Sequence, residues 1–204
     1  MILAGDVGGT KTNLALYRED AAGLVRVRMS TYPSREYPGL EAILNDFLSD
    51  VPPVGRACVG AAGPVVGGRC RLTNLDWAVE EDTLRRCSGA REAYLVNDLQ
   101  AMASAVPFLP PEAVAALQAG KAEPRGNMAV LAAGTGLGEG FLIGTCGGLV
   151  PLASEGGHVD FAPRDDREMR LHAFLRGLYG RVSVERVLSG PGLRDLHRFL
   201  REAE

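Results

Sequence analysis

Two glycine-rich stretches carry the first chemical signal: AGDVGGTKTNLALY at residues 4–17 and AAGTGLGEG at residues 132–140. Glycine turns let backbone N–H groups approach phosphate oxygens, and threonine hydroxyls add donors. A P-loop needs G-x-x-x-x-G-K-[ST]. Counted from Gly5 the sixth position is Thr10, and Thr12–Leu16 reads as a strand, whereas a P-loop opens into a helix. The dinucleotide fingerprint G-x-G-x-x-G fails as well, because Gly134-Thr135-Gly136 is followed by Leu137, Gly138 and then Glu139. The remaining device is a β-hairpin tip whose backbone forms a small anion nest, made here by Gly8, Gly9 and Thr10 and again by Gly134, Thr135 and Gly136. Asp6, just ahead of the first tip, can hold Mg²⁺ directly or through water. A plain hairpin turn is the competing reading, weakened by there being two such turns with a carboxylate on the first. Lys11 lacks the fixed aim that a helix gives a P-loop lysine and is an auxiliary electrostatic contact at best.

Three further groups of residues could do chemistry. Asp98 stands where the strand AYLV ends and a helix begins, which suits either a general base pointing into a cleft or a plain helix cap. Glu155 and His158 lie in the glycine-bracketed loop SEGGH, a way to present two polar side chains to a ligand. Their E-x-x-H spacing lacks a second histidine or cysteine nearby, which argues against zinc. Glu185, in VSVERVLSG, reads alone as a solvated charge beside Arg186. His172 and His197 fall on amphipathic helices as surface or packing residues, and Trp77 reads more as core than as contact.

These residues need a scaffold, and the pattern supplies an α/β one. Strands are expected at 2–4, 13–17 and 24–32, and a helix in YPGLEAILNDFLSDV from Leu40, Ile43, Leu44, Phe47 and Leu48. GRACVGAAGPVVGGRCRLT reads as a strand, a Gly-Pro loop and a returning strand. VEEDTLRRCSG is an amphipathic helix ended by Gly89, and EAYLVNDLQAMASAVPFL a strand turning into a helix at Asn97-Asp98. PPEAVAALQAG reads as a short helix, with two more near 165–178 and from about Gly192. Strand, glycine turn, strand occurs in each half of the chain, which suggests two related domains, 1–108 and 109–204, facing one ligand. Leu193, Leu196, Phe199 and Leu200 form an apolar face that stops mid-pattern without a cap, so the polypeptide is expected to continue past Glu204.

The bulk numbers narrow the class. With 204 residues, 46% hydrophobic and 23% charged, the chain is long enough to bury a core. A net charge of −3 argues against a nucleic-acid partner, and no apolar run is long enough to span a bilayer. The four cysteines are scattered without a CxxC pair, which predicts free thiols and a cytoplasmic location.

GDVGGTKTNLALY, LVNDLQAMASA, AAGTGLGEG, SEGGHVDFAPR and VSVERVLSGPGL together resemble the bacterial glucokinase family, within the actin-like ATPase and hexokinase superfamily. The matches run in family order from residue 2 to about 198, and EGGHVDFAP and ERVLSGPGL are the most specific of them. The resemblance implies a two-domain actin-like (ribonuclease H-like) fold, with the second domain incomplete here, and a cleft that closes on sugar and ATP. It implies Asp98 as the base for the sugar 6-hydroxyl, and a hexose site of Asn97, Asp98, Gly136, Glu155, His158 and Glu185. ATP phosphates would meet Asp6, Gly8, Gly9, Thr10, Lys11, Gly134, Thr135 and Gly136, with Mg²⁺ at Asp6. Glucose and ATP are the implied small-molecule partners, with a homodimer as the implied assembly. LTNLDW (72–77) resembles the family's Thr-Asn-x-x-Trp segment near the sugar. Glu139 departs from the apolar or small residue expected after GTGLG, since a carboxylate facing ATP phosphates would be repulsive. The cysteine-rich zinc motif of the related repressor–kinase group is missing. The family's adenosine-binding segment lies C-terminal to the last match. That leaves two alternatives to a glucokinase: a sugar-binding or regulatory relative without transfer, or a kinase for another hexose such as mannose or glucosamine.

Overall fold

Alternation of apolar and polar residues from Ile2 onward builds β1 (Ile2–Val7) and β2 (Lys11–Asp20), paired antiparallel from Ile2↔Tyr17 to Val7↔Thr12. The computed structural model describes residues 1–21, 23–72, 75–121 and 123–203. Contacts divide the chain into two compact units, Met1–Met102 and Ala103–Glu204. Thr73 and Asn74 of the LTNLDW segment lie outside the described residues.

In the first unit, β3 (Gly23–Pro33) follows, then α1 (Leu40–Phe47), β4 (Arg56–Ala61), β5 (Val65–Val66), β6 (Arg69–Arg71), β7 (Ala78–Glu80), α2 (Glu81–Ser88) and β8 (Glu92–Asn97). The main sheet has the order β3-β2-β1-β4-β8, with β1, β4 and β8 mutually parallel and β2 and β3 antiparallel. The residue alternation of a strand gives this sheet two unlike faces. One carries Leu3, Val7, Leu14, Leu16 and Val59, which form one core cluster with Leu40, Ile43, Leu44 and Phe47 of α1 and Leu84 of α2. Fully burying such a side chain contributes roughly 1.5–3 kcal/mol. The other face carries Thr31, Asn13, Asp6 and Gly60 in a row across four strands, by the pairings Asn13↔Thr31, Asp6↔Asn13 and Asp6↔Gly60. Trp77 is buried in the core cluster.

Helix α3 (Asp98–Ala105) springs directly from β8. In the second unit, β9 (Met128–Ala133), β10 (Leu137–Thr145) and β11 (Gly148–Ser154) form an antiparallel sheet of order β11-β10-β9. Then come α4 (Asp166–Tyr179), α5 (Val184–Val187) and α6 (Gly190–Ala203), whose core is Leu171, Leu175, Val182 and Phe199. Both glycine turns therefore close antiparallel hairpins, as the repeated pattern suggests.

Two expected elements differ. The helix expected in PPEAVAALQAG is only a 3-10 turn at Pro111–Ala113, followed by residues without regular structure and a Leu117 that is 100% exposed. A helix this short is marginal without a surface to bury its apolar side chains. The strand returning after the Gly-Pro loop does not pair with β4; β6 joins β5 and β7 in a small sheet of its own. No helix among the described residues is long and apolar enough to cross a membrane.

Candidate active site

The first glycine turn is held from behind. Gly8 N–H donates to the Lys11 carbonyl at 3.0 Å, leaving Gly9 and Thr10 at the tip. Ser34, fully buried, donates its backbone N–H to the Thr10 carbonyl at 3.0 Å and its hydroxyl to the Gly8 carbonyl at 2.8 Å. With that proton committed, the Thr12 hydroxyl 3.0 Å away is the donor to Ser34 Oγ. Lys11 is exposed at the start of β2.

Asp6 is exposed and oriented along the same sheet row. Thr31 Oγ1 donates to Asn13 Oδ1 at 2.8 Å, and Asn13 Nδ2 donates to Asp6 Oδ2 at 3.3 Å. Next to Asp6 in register is Gly60. A Cβ there would stand 3.3 Å from Ala101 Cβ and 3.5 Å from Asp98 Cα, so the missing side chain is what lets α3 rest on the sheet beside Asp6.

The strand–helix junction assigns different work to its two residues. Asn97 Oδ1 accepts from Leu99 N–H at 3.0 Å and Gln100 N–H at 3.2 Å, while Nδ2 donates to the Gly63 carbonyl at 3.1 Å. It is an N-cap whose amide also ties down the Gly-Pro loop. Asp98 shares only the first of these donors, leaving Gln100 N–H to Asn97. Its Oδ1 accepts from Leu99 N–H at 2.8 Å, and the side chain is half-buried. Burial pushes its carboxyl above the ordinary aspartate range, the Leu99 hydrogen bond opposes this, and the negative charge of Asp6 adds to it. Among the described residues no cluster of three or more His, Cys, Asp or Glu could hold a metal by itself.

In the second unit four of the six expected hexose residues converge, Gly136, Glu155, His158 and Glu185, while Asn97 and Asp98 belong to the first unit. His158 lies between two carboxylates, with Nε2 3.8 Å from Glu155 Oε2 and Nδ1 4.0 Å from Glu185 Oε1. Glu185 Oε2 accepts from Leu137 N–H at 3.0 Å, and it fills the space that a Cβ at Gly136 would need. Gly134 N–H donates to the Gly136 carbonyl and Gly190 N–H to the Gly134 carbonyl, both at 2.8 Å, so the second turn is anchored to the start of α6. Glu139, opposite Ser154 in register, reaches the space beside Gly156 in the Glu155–His158 loop. Each unit holds a set of its own: Asp6, Asn97, Asp98 and the first turn in one, Gly136, Glu155, His158, Glu185 and the second turn in the other. Ser34, Asn13, Thr31 and Gly60 had no signal of their own in the sequence. They are ordinary residues made important by strand register and by 3-10 geometry.

Comparison with known proteins identifies the family and the fold. The Glucokinase family pattern matches residues 3–204. The chain is 39% identical over 207 residues to a glucokinase of Nostoc punctiforme, covering 99% of this chain and 61% of that protein. It is 42% identical over 206 residues to one of Caulobacter vibrioides, covering 99% and 62%. The chain thus spans about three-fifths of the length of these relatives. Among solved structures, a glucokinase from an Antarctic psychrotroph superposes with a TM-score of 0.83 at 34% identity, covering 99% of this chain and 64% of that one. A glucokinase from Balamuthia mandrillaris in complex with glucose gives 0.71 at 23% identity, covering 99% and 63%, a likeness of fold. The mixed α/β architecture is that of the actin-like ATPase fold. By family pattern, by sequence and by fold, this chain belongs to the glucokinase family.

Proposed function

We propose that the protein transfers the γ-phosphoryl group of ATP to the 6-hydroxyl of D-glucose, giving ADP and glucose 6-phosphate. The observation that carries this reading is Asp98, a half-buried carboxylate that shares only the Leu99 N–H with the capping residue Asn97 and is set beside Asp6. Asp98 takes the proton of the sugar O6 as O6 bonds to the γ-phosphorus and the bond from that phosphorus to the β–γ bridging oxygen breaks. Glu155, His158 and Glu185 supply two carboxylate acceptors and an imidazole within one short span, which suits the hydroxyls of a hexose. The tips of the two glycine turns, Gly9-Thr10 and Thr135-Gly136, hold phosphate oxygens through backbone N–H groups, the N–H groups of Gly8 and Gly134 being used to close the turns. Lys11 adds only charge.

Mg²⁺ fits the single oriented carboxylate of Asp6, since this ion is commonly held by one or two carboxylates together with substrate phosphates. Bound there, it neutralises charge on the phosphates during transfer. Asn97 serves this chemistry through the helix cap, with any contact to the sugar secondary. The cytoplasm, a homodimer and the boundary at residues 108–109 belong to the same reading. ADP release measured across a panel of glucose, mannose and glucosamine tests it. Release with glucose that is lost in Asp98→Asn is the expected result. Glucose binding without ADP release would point instead to a sugar-binding relative, and faster release with mannose or glucosamine to a kinase for that hexose.

A further inference from the structure

Glu155 and His158 belong to one segment of the second unit and Glu185 to another, and a short antiparallel ladder joins the two. Phe161 N–H donates to the Val182 carbonyl at 3.0 Å, Val184 N–H to the Val159 carbonyl at 2.9 Å, and Asp160 bridges Ser183. Continued by two residues, this register sets His158 across from Glu185. The backbone bonds stop at Val159, however. Beyond it the chain enters the 3-10 turn Gly156–His158, where it no longer runs as a strand.

Arg181 spans that gap. Its Nη2 donates to the His158 carbonyl at 2.8 Å, and its Nε donates to Asp160 Oδ1 at 2.7 Å. One planar guanidinium thus grips both the residue that begins the ladder's central pair and the residue whose side chain lies between the two carboxylates. A lysine at this position could make either bond but not both in a fixed plane. The arginine and Asp160 side chains are mostly exposed, 67% and 75%. Such a pair adds little to global stability. Its effect is local, on the placing of one turn.

We propose that Arg181 is a positioning residue: it holds the Glu155–His158 turn in register with Glu185, and so sets the affinity for hexose. This rests on reading the Glu155, His158 and Glu185 cluster as the hexose site. The test compares unaltered protein with Arg181→Gln and Arg181→Lys, using equilibrium dialysis with labelled D-glucose, ATP kinetics, thermal melting and amide exchange. Arg181→Gln is expected to bind glucose about tenfold more weakly, the scale of one lost charge-assisted hydrogen bond. ATP KM and melting temperature should stay near those of the unaltered protein, and exchange should quicken at Val159 and Val184 but not in α6. Arg181→Lys should recover part of the affinity. Unchanged glucose affinity and unchanged exchange at Val159 in Arg181→Gln would overturn the proposal, as would a loss of melting temperature with exchange quickened throughout the unit. Should the unaltered protein bind no glucose, the hexose-site reading fails and the affinity claim with it, while exchange at Val159 still decides the grip by itself.

Discussion

Glu185 and Leu137 are joined by a hydrogen bond from the Leu137 backbone N–H to Glu185 Oε2 at 3.0 Å. A side chain proposed to bind hexose is therefore fastened to the first residue after the second glycine turn. On the proposed function, the sugar and phosphate sites of the second unit share one carboxylate. Gly136 makes this possible by leaving its side-chain space to Glu185. Gly136→Ala should force that carboxylate aside and break the Leu137 bond. A rise of about tenfold or more in glucose KM is expected, with ATP KM rising in parallel. Steady-state kinetics with each substrate varied in turn checks this; a change in ATP KM alone would uncouple the pair.

Asp98→Asn keeps the shape and the acceptor for Leu99 N–H but removes the base. Turnover should fall by about 10²–10⁴-fold with glucose binding retained. In the unaltered protein the rate should rise with pH through a midpoint above the ordinary aspartate range, because the ionised form is the active one and burial raises its pKa. Stability has the opposite sign. A carboxyl whose folded-state pKa is raised contributes stability that is present at low pH and lost as pH rises through the raised value. Asp98→Asn should therefore melt higher than the unaltered protein at neutral pH, with the advantage vanishing in acid.

Asn97 offers a way to separate cap from ligand. Asn97→Ala removes the acceptor for two N–H groups of α3 and should cost about 1 kcal/mol. Asn97→Ser restores the cap without the amide. If capping is its main work, the serine variant recovers both melting temperature and kcat. If melting recovers while glucose affinity does not, the amide meets the sugar directly.

Gly60 predicts a steric effect at a distance from any ligand. Gly60→Val places branched carbons where Ala101 and Asp98 already stand at 3.3 and 3.5 Å, and overpacking of this kind costs about 1–3 kcal/mol. Since the helix carries the proposed base, kcat should fall more than glucose affinity does. Melting curves and the split between kcat and glucose Kd read the two effects separately. Gly60→Ala, with one methyl to accommodate, should be much milder.

Asp6→Asn removes the one oriented carboxylate at the first turn. The concentration of Mg²⁺ giving half-maximal rate should rise about tenfold, while glucose binding measured without nucleotide stays unchanged. Titration with Mg²⁺, followed by chelation to confirm reversibility, checks it.

Much of this was readable in the sequence because it rests on local pattern. The helices α1 and α2 follow from apolar spacing and the stop at Gly89, and the two hairpin tips from glycine between strands. The convergence of Glu155, His158 and Glu185 followed from family likeness, since nothing in their spacing links residues 30 apart. Asn97 shows a limit of pattern reading. Its neighbour carried the cleft-facing signal, yet only the hydrogen bonds of α3 separate the capping residue from the catalytic candidate. Gly60, Ser34 and Arg181 were out of reach because their importance is a matter of register between distant segments. The expected helix at 110–120 had the residues for helix formation but lacked a surface to bury them against, a property of the surroundings and not of the segment.

The hydroxyl chain from Thr12 through Ser34 to the Gly8 carbonyl separates the shape of the turn from the side chains at its tip. The shape of the first turn is stored outside the turn, in a serine 26 positions away from Gly8. The tip is thereby released from maintaining its own geometry. Lys11 serves the turn through its backbone carbonyl and its place in β2, neither of which depends on its side chain. The charge carried at the tip can therefore change by substitution at this position without altering the hydrogen bonds that shape the turn.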